Sequence, residues 1–321
     1  MTDRLRAVAA GITDVGLQRD HNEDSFSILE DLELFVVADG MGGHRAGDVA
    51  SQLATRTISD FFRSTNAQDG TWPYHFDTRL TEEENRLLSS IRVANRQILE
   101  RSNRSQECRG MGTTVVAVLF SWERGRVFIG HVGDSRAYRI RAGQIVQLTR
   151  DHSLLNDYLL AMPELTEDQK SELPKNVITR ALGMQDHVAV DLQQDQAQLG
   201  DVFVLCSDGL SGMIDDEEIL QVVAETSDLN EACRRLVAMA NEHGGEDNIT
   251  AVLVRVDDMA DEGDRRTLPA FEDALAQEAA VPVRVHAQPG GGSDAASSDA
   301  QPATPDAGPE PEGQDRGGSA S

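Results

Sequence analysis

Six short runs rich in β-branched and aromatic residues constrain the fold most, because residues that form turns bound each of them. The runs cover residues 33–38, 113–121, 125–131, 135–141, 201–206 and 249–256. In WERGRV and RAGQIV a glycine separates two such runs, at a spacing too short for the crossover that joins parallel strands. Consecutive hairpins are therefore expected, and the sequence predicts a mostly antiparallel sheet.

Three other segments carry apolar residues at helical spacing, and they cover residues 47–61, 87–98 and 230–243. Thr81 and Glu84 have the spacing of a capping box, which would start the second helix. Helices and strands come in blocks and do not alternate strictly. The sequence therefore predicts the α+β class, with helices covering antiparallel sheets.

Composition divides the chain near Asp257. Apolar segments recur before this point, whereas Gly, Pro, Ser, Ala and Asp dominate after it and offer little to bury. We expect a folded domain over residues 1–257 and an acidic, mostly disordered tail over residues 258–321, with a short helix of marginal stability between 267 and 280. The tail could be solvated chain without a specific role, or a docking or regulatory segment.

Charge and cysteine content exclude several classes of protein. The 55 Asp and Glu residues against 29 Lys and Arg give a formal net charge of −26, which disfavours non-specific binding to nucleic acid or to anionic membranes. Three widely spaced cysteines favour neither a disulfide framework nor a zinc cluster. The chain has no apolar run long enough to span a membrane and no signal peptide, so we expect a cytoplasmic protein.

Aspartates recur where the predicted strands end. The stretches VVADGMGGH and VLCSDGLSG both pass from an apolar run into Asp-Gly. The candidates are Asp24, Asp39, Asp134, Asp208 and Asp247. Any one of them is ordinarily a turn residue. Several brought together would repel one another and raise each other's pKa, and a hard divalent cation resolves that repulsion. Oxygen ligands favour Mg²⁺ or Mn²⁺ over Zn²⁺.

Two further residues extend this hypothetical site. Gly40 lets the backbone approach a cation, so that its carbonyl can join the Asp39 carboxylate. Arg19 offers a planar guanidinium that can hold two phosphate oxygens at once. Two metal ions close together would activate a bridging water for in-line attack on phosphorus. Phosphoester hydrolysis is therefore the leading chemistry.

Eight motifs occur in the order found in one known family. They are TDVGLQRDHNEDSF at 13–26, VVADGMGGHRAGDVAS at 36–51, GMGTTVVAV at 110–118, HVGDSRAY at 131–138, LTRDHS at 148–153, NVITRALG at 176–183, LCSDGLSGMI at 205–214 and GGEDNIT at 244–250. Through them the chain resembles, from about residue 9 to 256, the metal-dependent Ser/Thr protein phosphatases of the phosphatase 2C (PPM) family in their bacterial form.

The resemblance implies a four-layer α-β-β-α sandwich, in which helices flank two central antiparallel sheets and a centre of two Mn²⁺ or Mg²⁺ ions lies between the sheets. It implies that Asp39 bridges the two ions and that the Gly40 carbonyl completes one of them. Asp208 and Asp247 would hold the other ion. Arg19 would bind the substrate phosphate.

The remaining acids have less definite roles in the resemblance. Glu23 and Asp24 match an acidic pair that reaches the second metal through water, and the sequence leaves open which of them serves it. Asp134 matches the acid associated with a third, weaker metal in bacterial relatives. Met41 stands where animal-type members have a histidine proposed as general acid, and His44 does not inherit that role by alignment.

Several functions are compatible with this resemblance. The first is hydrolysis of phosphoserine and phosphothreonine in proteins, by a monomer that opposes Ser/Thr kinases. The second is a non-catalytic module that keeps the fold and binds a phosphoprotein or metal, although every metal acid is present. The third is a phosphatase devoted to a regulatory partner, such as a sigma-factor antagonist. The charge disfavours a metal-dependent nuclease.

Overall fold

The computed structural model describes residues 5–42, 46–65, 76–162, 164, 166, 169, 173–174 and 177–259. The predicted disorder of the tail, the predicted helix at 267–280 and His44 lie outside these residues. Within them, no helix is long and apolar enough to cross a membrane.

Eleven strands form within the described residues. They are β1 Leu5–Asp14, β2 Asp24–Leu29, β3 Leu34–Met41, β4 Gly112–Thr113, β5 Val115–Ser121, β6 Arg126–Val132, β7 Arg136–Arg141, β8 Gln144–Gln147, β9 Asp191–Gln196, β10 Val202–Cys206 and β11 Ile249–Asp258. Every pairing between them is antiparallel, as predicted. The two hairpins predicted from glycine, β5–β6 and β7–β8, are both present.

The strands form two stacked sheets. Sheet 1 has the order β1-β11-β10-β7-β8, and sheet 2 has the order β2-β3-β5-β6-β9 with β4 paired to β3. Side chains along β3 point alternately to the two faces of sheet 2, and each face packs against a different apolar core. Phe35 and Val37 pack between the sheets, whereas Leu34, Val36 and Ala38 pack against helices.

Helices cover the outer faces of both sheets. Their bounds are α1 Ala46–Thr65, α2 Glu82–Arg104, α3 Leu154–Ala161, α4 Asp208–Ser211, α5 Asp216–Glu225 and α6 Leu229–Glu242. Helices α1 and α2 share an apolar core with sheet 2, and α4 to α6 share one with sheet 1. The predicted capping box begins α2, because Thr81 N donates to Glu84 Oε2 at 2.8 Å and Glu84 N donates to Thr81 Oγ1 at 3.2 Å. The predicted α-β-β-α sandwich is confirmed.

Two glycines bring α1 against the end of β3. A Cβ atom on Gly40 would lie 2.1 Å from the carbonyl oxygen of Gly47, and one on Gly47 would lie 2.8 Å from the carbonyl carbon of Gly40. Neither approach is possible with a side chain at these positions. Gly40 N also donates to the Glu23 carbonyl at 3.1 Å. The ends of β2 and β3 and the start of α1 therefore meet at one edge of the sandwich.

Candidate active site

The predicted aspartates converge at this edge from both sheets. Asp24 and Asp39 are direct partners across β2 and β3. Asp208 follows β10 and Asp247 precedes β11, which are neighbouring strands of sheet 1, while Asp134 follows β6. We call these five residues the aspartate cluster. The charges of the other four members all act on Asp39, which makes it the centre of the cluster.

Burial and mutual repulsion raise the pKa values in the cluster. Burial is the largest cause for Asp39, whose pKa lies well above its usual value, and the charge of Asp24 is the next. Burial also raises the pKa of Asp24 and of Asp134 to about 7 in each case. The pKa of Asp208 is raised by burial first and by Asp247 second. Such carboxylates ionise readily only when a positive charge compensates them.

Three carboxylate oxygens of the cluster are buried without a hydrogen-bond partner among the described residues. They are Asp24 Oδ1, Asp134 Oδ1 and Asp208 Oδ1. A buried oxygen left unpaired costs free energy, so groups of this kind call for an ion or water. Because hard divalent cations select carboxylate oxygen, these donors fit Mg²⁺ or Mn²⁺.

The backbone of Asp39 is fixed by two threonines. Asp39 N donates to Thr114 Oγ1 at 3.0 Å, and Thr113 Oγ1 donates to the Asp39 carbonyl at 2.7 Å. Sequence reasoning included both threonines in a motif but gave them no role. The signal in the sequence is a pair of hydroxyl residues directly before the apolar run that begins at Val115.

Arg19 lies beside the aspartate cluster. Its Nη2 atom donates to Asp247 Oδ2 at 2.6 Å, and its Nε donates to the Glu246 carbonyl at 3.3 Å. Half of the Arg19 side chain stays exposed, at 51%. Together with Asp134, Asp208 and Asp247 it lines an open cleft of about 820 Å³. The cleft therefore offers carboxylates for cations and a guanidinium for an anion.

The structure separates the two acids that the sequence could not distinguish. Asp24 is buried, and the charges of Asp208 and Asp247 act on it. Glu23 is its neighbour in sequence, and its carboxylate lies 3.4 Å from the imidazole of His21. The pKa of Glu23 is raised mainly by burial, against the opposing charge of His21. Asp24 thus belongs to the aspartate cluster, while Glu23 borders it beside Gly40.

A second group of potential metal ligands includes no member of the aspartate cluster. His131, His152 and Asp191 offer ligand atoms that lie within 4.8 Å of one another. However, Arg180 Nη1 donates to Asp191 Oδ1 at 2.6 Å and lies 2.9 Å from His152 Nε2. A guanidinium keeps its charge, so it repels a cation from this position. We interpret the group as an ion-pair cluster that holds two stacked histidine rings.

The fold and the acidic cleft together place this chain in the class of metal-dependent phosphatases. The sequence profile of the protein phosphatase 2C family matches residues 18–253. The serine/threonine phosphatase stp of Listeria monocytogenes serotype 4b is 39% identical over 250 residues, which span 76% of this chain and 94% of that protein. The chain belongs to the protein phosphatase 2C family, and it is a protein serine/threonine phosphatase.

Solved structures support the same assignment. The crystal structure of the serine/threonine phosphatase PstP/Ppp of Mycobacterium tuberculosis has a TM-score of 0.67 at 33% identity, covering 78% of this chain and 99% of that one. The catalytic domain of PstP in complex with two manganese ions has a TM-score of 0.66 at 33% identity, covering 79% and 100%. The similarity thus extends over nearly the whole length of each PstP chain.

Proposed function

We propose that this phosphatase works with two Mn²⁺ or Mg²⁺ ions held by the aspartate cluster. The three buried carboxylate oxygens without partners carry this proposal. The manganese ions of the PstP catalytic domain agree with it. The proposed ligands are Asp39 between the two ions, the Gly40 carbonyl, Asp208, Asp247 and Asp24, with Glu23 at the border and Asp134 for a third, weaker ion.

The proposed reaction is hydrolysis of phosphoserine and phosphothreonine in proteins. When bound, the cations supply Lewis acidity and a nucleophile derived from water at neutral pH. Arg19 binds the phosphate, because its guanidinium lines the same cleft as the acids. Thr113 and Thr114 hold Asp39 in place before the substrate arrives, so that little reorganisation accompanies the reaction.

Phosphate release from a phosphothreonine peptide tests the function. We expect turnover with Mn²⁺ or Mg²⁺ and none with EDTA.

Arg19→Lys should lower kcat/KM by about 10–100-fold and weaken inhibition by inorganic phosphate, because Lys cannot form the planar fork. Arg150→Lys, a change of an exposed arginine outside this cleft, is the matched control. No turnover by folded, metal-loaded protein would favour a non-catalytic phosphoprotein-binding module.

We also propose that the substrates include Ser/Thr kinases and that the enzyme is a cytoplasmic monomer. Cys108, Cys206 and Cys233 are all free and buried, which suits a reducing compartment. Light scattering should give the mass of one chain, and a kinase autophosphorylated on threonine should lose its phosphate. The mass of a dimer would contradict the proposed monomer. A kinase that keeps its phosphate would contradict the proposal that kinases are substrates.

We propose that residues 1–257 form the catalytic domain and that the tail at 258–321 takes no part in catalysis. Strand β11 ends at Asp258, which is paired with Leu5 at the far end of β1. A chain ending at Met259 keeps this whole strand, so we expect unchanged kcat/KM and an unchanged melting temperature. Parallel assays of the full-length and shortened chains measure this. A loss of kcat in a shortened chain that melts normally would assign the tail a catalytic role.

A further inference from the structure

Two hydroxyl groups, one in β11 and one directly after β10, donate to one oxygen of Asp24 in sheet 2. Ser207 Oγ donates to Asp24 Oδ2 at 2.7 Å, and Thr250 Oγ1 donates to the same oxygen at 2.6 Å. All three side chains are buried. Both donors therefore act on Oδ2, while Oδ1 of the same carboxylate has no partner among the described residues.

The hydrogen bonds around Thr250 run in one direction. Its single hydroxyl proton goes to Asp24, so in the 2.7 Å contact with Thr13 Oγ1 it must accept, and Thr13 must donate. Thr13 Oγ1 in turn accepts from Asn22 Nδ2 at 2.8 Å. The Asn22 Oδ1 atom accepts from Asp24 N at 3.0 Å. The result is a closed ring of four residues, and successive bonds in such a chain strengthen one another.

Ser207 is held by the neighbouring strand. Thr250 N donates to Ser207 Oγ at 3.0 Å, so the serine hydroxyl accepts from the backbone and donates to Asp24. Its other possible acceptor, the Asn248 carbonyl, is farther away at 3.3 Å. The hydroxyl is engaged on Asp24, which argues against a role for Ser207 as a nucleophile. This agrees with the sequence, which shows no histidine and aspartate pattern around it.

We propose that Ser207 and Thr250 are positioning residues, which fix Asp24 Oδ2 so that Oδ1 is presented to the metal centre. The inference rests on the proposed function. Each residue is close in sequence to a proposed ligand. Ser207 directly precedes Asp208, and Thr250 follows Asp247 by three positions. The segment that follows β10 and the segment that begins β11 would then each supply both a ligand and a hydroxyl that orients Asp24.

Calorimetric titration of the metal-free protein with Mn²⁺ tests the inference without relying on activity. Thr250→Val keeps the shape and removes the donor, so one of the two main Mn²⁺ binding events should lose about 10–100-fold in affinity. Thr250→Ser keeps the hydroxyl and should bind nearly as the unmodified protein does. Ser207→Ala should resemble Thr250→Val. In phosphate release, the lost activity should return at higher Mn²⁺ while KM for the peptide stays the same.

Thr57→Val is the matched control. Thr57 is also buried and donates to Gln97 Oε1 at 2.8 Å, but it lies in α1 and is no member of the ring. If Thr250→Val fails to fold, Thr13→Val removes the next link of the ring and should weaken the same binding event less. If Thr250→Val and Ser207→Ala bind Mn²⁺ as tightly as the unmodified protein does, the positioning role of these two residues is wrong, while the proposed metal centre stands. A failure of the unmodified protein to bind Mn²⁺ would overturn the metal centre as well.

Discussion

Asp39→Asn should abolish binding of the metal pair and lower phosphate release by about 10³-fold or more. The charges of the four other members of the aspartate cluster all act on Asp39. Asp39 is proposed as a ligand of both cations. Asparagine offers one oxygen and an amide that donates hydrogen bonds, so it cannot bridge two cations. Calorimetry with Mn²⁺ and phosphate release measure the two losses.

The same substitution should stabilise the metal-free protein. Burial and like charge both disfavour an ionised Asp39, and a neutral amide avoids both costs. Each kcal/mol gained should raise the melting temperature by about 2–4 °C in a domain of this size. Mn²⁺ should raise the melting temperature of the unmodified protein and leave that of Asp39→Asn unchanged.

A matched substitution separates this effect from a general change of charge. Asp20→Asn removes the same charge from an exposed position next to Arg19, and it should keep metal binding and stability. Should Asp39→Asn melt lower without metal and still be stabilised by Mn²⁺, Asp39 would be a structural residue and not the bridging ligand.

Much of the fold could be predicted because local signals agreed with one another. Glycine between paired β-branched runs predicted the hairpins, and a capping box predicted the start of α2. Strand β9 was missed because its sequence, DLQQDQ, has no apolar alternation. It is an edge strand with no buried residue, so packing against β6 decides its conformation and propensity does not.

The acids of the site could be predicted from local sequence, whereas the hydroxyl groups that contact Asp24 could not. Aspartate at the end of an apolar run can be seen in one segment of sequence at a time. The link from Thr13 to Thr250 depends on the register of β1 against β11, where these two residues are direct partners 237 positions apart. The choice between Glu23 and Asp24 likewise depends on which side chain faces the other sheet, and no local pattern reports that.

The metal-free protein should lose stability as pH rises from 5 to 8. Burial raises the pKa of Asp24 and of Asp134 from 3.8 to about 7. Between these values the folded state keeps protons that the unfolded state has released, so the free energy of unfolding falls with rising pH. This stabilisation is full below the unfolded pKa and disappears above the folded one. For Asp134 alone the loss between pH 5 and 8 is on the order of 3 kcal/mol.

Asp39 and Asp208, whose pKa values are also raised, act in the same direction, whereas the remaining groups change little in this interval or oppose the trend. Ion pairs that lower the pKa of Asp191 add stability that stays constant over this interval and is lost only at more acidic pH, since both its folded and its unfolded pKa lie below 5. Burial lowers the pKa of His131 and His152, which adds stability as pH rises through 6.5. A comparison with Asp134→Asn removes these contributions, because both proteins share them.

Urea unfolding in EDTA at pH 5 and at pH 8 measures the difference. The unmodified protein should lose on the order of 3 kcal/mol more than Asp134→Asn over this interval. Saturating Mn²⁺ at pH 8 should restore the lost stability, because cations bind the ionised carboxylates of the folded state alone. Equal pH dependence in the two proteins would mean that Asp134 ionises normally, and its assignment to a cation site would lose its electrostatic basis.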